Sequence, residues 1–204
     1  AWGGAHAAAP WPGDRIGKLM RFDQIEPLTA NCRDFAAVWQ GWRGHGLMPS
    51  RSDVRLENLK PVLPWITLAE VPSNSEIIFR LAGTMIRELL GVELTGRNLL
   101  DLTEPALRER RGHRSYRTAA QPCGAIWIWR VGYRGGGVEQ VEQLALPLRP
   151  NEADKPPQLM TVTGPLGEGM RPVPLSRLQI LESAEYHHFI DIGAGEPDID
   201  PSYQ

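Results

Sequence analysis

The sequence contains only two cysteines, Cys32 and Cys123, among its 204 residues. They form neither a CxxC pair nor part of a dense cysteine pattern, so the chain lacks the disulfide framework that holds many small secreted proteins together. This low number of cysteines is compatible with a reducing compartment. We therefore expect the protein to be cytoplasmic.

Long apolar runs and an excess of one charge are missing as well. No stretch approaches the roughly 18 apolar residues that a membrane-spanning helix needs. The formal net charge of −2 gives no overall attraction to nucleic acid or to an anionic membrane. The first ten residues also lack the charged and apolar regions of a signal peptide. We therefore expect neither nucleic acid nor a membrane among the partners.

What is present is the composition of an ordinary globular protein, with 42% hydrophobic and 23% charged residues. A chain of 204 residues suits one domain with extensions better than two domains. We predict a flexible leader over residues 1–30, an amino-terminal helix over 31–48, a core over 49–166 and a carboxy-terminal extension over 167–204.

Three helices are indicated by apolar spacing and by end signals. The first covers residues 34–44, where apolar side chains recur every three or four positions at Phe35, Val38, Trp39 and Trp42, and where Thr29 and Asn31 are available as caps. The second covers residues 84–90 and is closed by Gly91. The third, over residues 103–120, has Pro105 near its start and should be the longest helix of the core.

Five runs rich in β-branched and aromatic residues predict strands over residues 65–71, 77–81, 125–133, 138–148 and 159–163. Three glycines at 135–137 suit a tight hairpin between the third and fourth runs. Parallel neighbours need long crossovers, which only the helical middle provides. We therefore predict an α+β fold with a mainly antiparallel sheet and helices on one face.

This order of two strands, a helical middle and three strands resembles the PAS domain. The most specific sequence similarity to this family lies in two segments, Gly83-Thr84 and Gly91-Val92-Glu93-Leu94-Thr95-Gly96-Arg97. The chain resembles a subgroup of short, stand-alone PAS-like proteins of α-proteobacteria, over roughly residues 31–164 and 189–195. The resemblance implies a five-stranded antiparallel sheet that cups a small cavity under the central helices and serves ligand sensing or partner contact.

Tryptophans are the main candidates for the cavity wall. Trp127 and Trp129 are two residues apart and share one face of a strand, while Ile126 and Ile128 share the other. One face should meet the central helices and the other the amino-terminal helix or a second subunit; the spacing does not decide which. The candidate ligand contacts are Phe79, Leu81, Met85, Leu89, Trp127 and Trp129.

Arg80 is a further ligand candidate, because a charge within an apolar run needs a partner if it is buried. That partner could be a ligand carboxylate, Glu70 or Glu142.

The third helix carries five arginines and two glutamates between Glu104 and Thr118. This local charge of +3 indicates either a solvent-facing stripe or a surface for an acidic partner or a phosphate-bearing ligand. The candidate partner contacts are Arg110, Arg114 and Arg117, together with Trp39 and Trp42. We expect the chain to form a homodimer and to bind an unidentified signalling protein through these residues.

No assembled nucleophile, base or metal set is visible, so we expect no enzyme activity and leave the cofactor unknown. His113 lies near the place where haem-binding PAS relatives carry their axial histidine, but a solvated basic face explains it at least as well. Cys32 sits in an Asn-Cys-Arg sequence that resembles a flavin-linking motif, yet it precedes every core strand and fits a helix start. His187 and His188 are adjacent and point apart, which makes them poor joint metal ligands.

The sequence therefore favours a sensory or signalling module that binds a small molecule or relays through protein contacts. The alternative is a cavity-poor adaptor that docks on another protein through its arginine-rich helix.

Overall fold

The computed structural model describes residues 20–133, 138–167, 178–181, 186–195 and 197–198. These residues contain three α-helices and eight strands. The helices are α1 (Ala30–Arg43), α2 (Thr84–Leu90) and α3 (Pro105–Ala120). The strands are β1 (Met20–Arg21), β2 (Ile66–Ser73), β3 (Glu76–Ala82), β4 (Gly124–Tyr133), β5 (Val138–Leu148), β6 (Gln158–Pro165), β7 (Leu178–Leu181) and β8 (Tyr186–Asp191).

All eight strands belong to one sheet, in the order β1-β8-β4-β5-β6-β2-β3, with β7 also paired to β4. The five strands expected from the sequence are neighbours, and each pair among them is antiparallel. The expectation of only five strands was wrong. The sheet continues beyond β4 because β8 pairs with it antiparallel and β1 then pairs with β8 in parallel.

The three helices lie close to their predicted positions. Gly91 ends α2 in the left-handed conformation, with φ of +67°, as its place after the helix predicted. Pro105 stands in the first turn of α3, where its missing N–H has no intrahelical partner to lose. The predicted glycine hairpin at residues 135–137 lies outside the described residues.

Both faces of the sheet are covered. Helix α1 packs on the outer face, where Phe35 and Trp39 join a core that includes Ile126, Leu144 and Met160. Helices α2 and α3 pack on the inner face, and their core is centred on residues such as Phe79 and Trp129. The strand alternation left open in the sequence is thus decided: Ile126 faces α1, whereas the tryptophans of β4 face the central helices.

The start of α1 is fixed to the outer face by a buried carboxylate. Glu142 on β5 is fully buried and accepts hydrogen bonds from the backbone N–H of Leu28 (2.7 Å) and of Thr29 (2.8 Å). It also accepts from the hydroxyl of Thr29 (2.7 Å), whose oxygen in turn caps Cys32 N–H. Residues 20–29, which the sequence assigned to a flexible leader, are therefore tied to the sheet.

Candidate functional site

A cavity of about 120 Å³ lies between the inner face of the sheet and helices α2 and α3. Six strands, β2 to β6 and β8, line its floor through inward-facing residues, since only every second side chain of a strand faces inward. The floor includes Thr67 and Ala69 of β2, Ala125, Trp127 and Trp129 of β4, Gln143 and Ala145 of β5, and Leu159 and Thr161 of β6. The wall is therefore mainly apolar, with a few polar groups.

One face of α3 closes the cavity from above. Its lining residues follow the three- and four-residue spacing of a single helical face and are Leu107, Arg110, Arg111, Arg114, Ser115 and Thr118. A helix that packs on a sheet normally presents an apolar stripe there. Here three of the six side chains are arginines, so one side of an apolar cavity carries a concentrated positive charge.

The arginines of this face influence one another. Arg111 donates to the hydroxyl of Thr103 (3.0 Å), and its guanidinium lies 5.5 Å from the centre of the Trp129 ring. Burial, together with the charges of the neighbouring arginines, lowers the pKa values of Arg111 and Arg114 to about 10. Both remain charged at neutral pH. Among the cavity-lining residues that the structure describes, none is acidic.

His187 on β8 adds an aromatic polar group to the cavity. Its ring lies 6.0 Å from that of Trp127 and meets the edge of Phe189 at 4.7 Å. Burial, then the charges of Arg114, His188 and Arg110, lower the pKa of His187 to about 3, so the ring is neutral at physiological pH. Sequence reasoning missed this residue because nothing in the sequence predicted that β8 pairs with β4.

Four of the predicted ligand contacts line the cavity: Phe79, Leu89, Trp127 and Trp129. Leu81 does not, and its placement was wrong for an identifiable reason. The pairing of β2 and β3 shifts register at Arg80, so that Phe79 pairs with Ala69 on the inner face while Leu81 pairs with Leu68 on the outer face.

Met85 and Arg80 also lie away from the cavity lining. On α2, Ile86, Leu89 and Leu90 face inward, whereas Met85 is only half-buried. Arg80 is exposed, and its guanidinium binds the carboxylate of Glu70 at 2.7 Å. Of the partners considered for Arg80, the structure therefore supplies Glu70.

The predicted partner contacts separate into different environments. Trp39 is wholly buried under its own sheet and donates its indole N–H to the carbonyl of Pro147 (3.1 Å), so it offers no surface to a second subunit. Trp42 is half-buried against the same core. Arg110 and Arg114 line the cavity instead of forming an outward surface, and Arg117 is exposed.

His113 and Cys32, which were weighed for haem and flavin chemistry, lie outside the cavity. His113 places its Nε2 atom 3.1 Å from the amide nitrogen of Asn74 in the β2–β3 hairpin and does not line the cavity, which argues against an axial haem ligand there. Cys32 lies on α1 beneath the outer face, and burial raises its pKa well above the usual value. It cannot reach a ligand on the inner face.

Within the described ranges, no group of three or more histidine, cysteine or acidic side chains is arranged to hold a metal ion. Nor does any helix in those ranges have the length and apolar character needed to cross a bilayer.

Comparison with known proteins gives one match. A family model described as the PAS domain matches residues 29–163, about two thirds of the chain, from the cap of α1 to the middle of β6. No curated protein matches the sequence. The matched region contains α1, the five central strands and both helices that enclose the cavity.

Proposed function

The chain belongs to the PAS domain family, and from this premise we propose that it is a sensory module that binds a small molecule in the cavity under α2 and α3. Membership of the family points to sensing or signalling in general. The ligand-binding role is supported by one observation above all: the space between sheet and helices is open, and aromatic, aliphatic and polar groups converge on it.

The cavity chemistry supports binding without catalysis. His187 is its only histidine among the described lining residues, and with a pKa of about 3 it is a weak general base at neutral pH. No carboxylate among those residues could orient it or act in its place. We therefore propose that the module holds its ligand unchanged.

Adjacent residues of β5 offer a route from the cavity to the outer helix. Gln143 faces the cavity and donates to the hydroxyl of Thr163 (2.7 Å), while Glu142 faces outward and holds the start of α1. A shift of β5 on ligand binding would move both groups together. We propose that the signal leaves through α1 and that its solvent-facing side contacts a second copy or a signalling partner.

The adaptor alternative receives less support. It requires an outward-facing basic surface on α3, yet Arg110 and Arg114 line the cavity and only Arg108 and Arg117 of the five arginines are exposed. The adaptor hypothesis also assumes that side chains fill the space between sheet and helices, whereas a cavity is present there.

Native mass spectrometry of the full chain tests the proposal. The protein is incubated with a low-molecular-mass extract of host cells and freed of unbound compounds. We expect the wild type to retain a small molecule and Ala145→Leu to lose it, because the added side chain at this buried floor position would occupy the cavity.

Ala37→Leu is the matched control, since Ala37 is exposed on α1 and the same added volume there leaves the cavity open. It should retain the compound as the wild type does. If the wild type and Ala145→Leu both stay free of small molecules, the sensing proposal fails and the adaptor is favoured.

A further inference from the structure

We infer that the cavity takes a small monocarboxylate with a compact apolar body, and that Arg110, beside Arg114 on α3, holds the carboxylate. This inference rests on the proposed function and adds the chemical class of the ligand.

The position of the positive charge on α3 favours a carboxylate ligand. Arg110 and Arg114 are four residues apart, so they stand one turn above the other on the face of α3 that closes the cavity. Arg110 is half-buried and forms no ion pair with a carboxylate of the described residues. A planar guanidinium at the edge of an apolar space offers paired N–H donors that match the two oxygens of a carboxylate.

The like charges on the cavity face of α3 also favour an anion. Arg110 and Arg111 are adjacent and Arg114 stands one turn further along α3, so their like charges repel one another. Burial strengthens this repulsion because the medium screens it less. The lowered pKa values of Arg111 and Arg114 reflect both effects. An anion in the cavity would be attracted by all three guanidinium groups, whereas a neutral ligand would not.

The volume of the cavity limits the size of the ligand. A cavity of about 150 Å³ lined by apolar side chains accommodates benzene, and the present one is about 120 Å³. Its floor beneath the arginines is built from Phe79, Trp127, Trp129 and the small residues Ala125 and Ala145. One aromatic ring or a short aliphatic chain fits this space, which excludes groups as large as haem or a flavin.

A carboxylate suits the site better than a phosphate. Moving a doubly charged, strongly hydrated group from water to a small apolar cavity costs more than moving a single charge. The remaining polar lining groups, such as Gln143 and Thr161, are neutral and too few to replace the hydration of a dianion.

Isothermal titration calorimetry on the full chain at pH 7 tests the inference with benzoate, hexanoate, the neutral analogue benzamide and phenylphosphonate. We expect a carboxylate to bind at least about tenfold more tightly than benzamide, the effect of one charge-assisted hydrogen-bond pair. Arg110→Gln should weaken carboxylate binding by about tenfold or more and leave benzamide binding within about twofold. Arg110→Lys, which keeps the charge without the planar fork, should fall between.

Arg117→Gln is the matched control, because Arg117 is exposed on the same helix and does not line the cavity. It should bind all probes as the wild type does. The inference is overturned if benzamide binds as tightly as the carboxylates, if phenylphosphonate binds more tightly than they do, or if Arg110→Gln binds them unchanged.

The binding measurements distinguish a failure of the carboxylate inference from a failure of the proposed small-molecule function. If only neutral compounds bind, and Ala145→Leu abolishes their binding, the charge argument is wrong and the small-molecule function stands. If no compound of any charge binds the wild type, both are wrong.

Discussion

At the scale of single residues, Glu142 is the clearest case of a side chain whose surroundings determine its role. It is a fully buried carboxylate on a central strand, and its partners are two backbone N–H groups and one hydroxyl at the start of α1. These three hydrogen bonds to a charged acceptor fix the segment before α1 to the sheet.

Glu142→Gln should therefore lower the free energy of unfolding by about 2–4 kcal/mol. In the variant an amide NH2 group, which can only donate, replaces one carboxylate oxygen and faces the N–H and O–H donors at the start of α1. Urea denaturation monitored by tryptophan fluorescence gives this value. Glu88→Gln is the control, since Glu88 is exposed on α2, and it should change stability by less than about 0.5 kcal/mol. Equal stability of the two variants would show that the carboxylate charge contributes nothing to holding α1.

Residue environments were also the hardest to predict from the sequence. The sequence predicts that Arg80 needs a partner if it is buried, but spacing alone does not choose between a ligand carboxylate, Glu70 and Glu142. The structure pairs Arg80 with Glu70 and places Glu142 on the opposite side of the sheet from the cavity. Such choices depend on the register between strands that are distant in the sequence, and no local pattern encodes that register.

At the scale of elements, the strands and helices of the central region were predictable because each has a strong periodic pattern and clear end signals. Helix α2, closed by Gly91, and the strand pair β4 and β5 are examples. Two elements of the carboxy-terminal region, β7 and β8, were not, since a short strand that pairs with a distant edge has no local signature. His187 could not be predicted as a cavity residue for this reason, since it lies on β8.

The cationic face of α3 shows a different limit. Its spacing is visible in the sequence, but a basic helical stripe usually faces solvent, and Arg110 and Arg114 were assigned to an outward surface accordingly. Only tertiary packing reveals that the stripe covers a cavity.

The contact between β6 and the start of α1 depends on a missing side chain. A β-carbon at Gly164 would overlap both the hydroxyl oxygen and the β-carbon of Thr29, the residue that caps α1. Gly164→Ala should therefore push the helix start away from the sheet and destabilise the fold by about 1–3 kcal/mol, the usual cost of overpacking. Thermal unfolding followed by circular dichroism measures the effect.

Gly41→Ala makes the same change within α1 where a β-carbon would meet nothing within 4 Å. It should stabilise the protein by up to about 1 kcal/mol, because alanine is the better helix former. If Gly164→Ala were as stable as Gly41→Ala, the close approach of α1 to β6 would not be a constraint on the fold.

At the scale of the whole molecule, a single sheet is buried on both faces, and the two layers differ in character. The outer layer under α1 is closely packed and holds Trp39 and Cys32 without access to solvent. The inner layer retains a cavity, three arginines and a neutral histidine. This division suits a module in which the inner side responds to a ligand and the outer side maintains the scaffold.

The inner layer also determines how global stability should depend on pH. An unfolded histidine has a pKa near 6.5, whereas His187 in the folded protein has a pKa of about 3 because of burial and the charges of Arg114, His188 and Arg110. Below pH 6.5 the unfolded chain therefore binds a proton that the folded protein does not. Stability is complete above this pH and should decline as the pH falls toward 3, with a slope of up to about 1.4 kcal/mol per pH unit.

Urea unfolding between pH 7 and pH 5, carried out on the wild type and on His187→Phe, measures this contribution. The carboxylate with a lowered pKa, Glu93, acts in a lower range, since Arg87 holds its pKa at about 2 against an ordinary value of 4.5. His188, whose pKa burial also lowers, adds a decline of the same sign. His187→Phe keeps an aromatic ring beside Trp127 and Phe189 without a titrating group, so its slope should be the smaller. Equal slopes in His187→Phe and the wild type would mean that His187 accepts its proton in the folded protein as readily as in the unfolded chain.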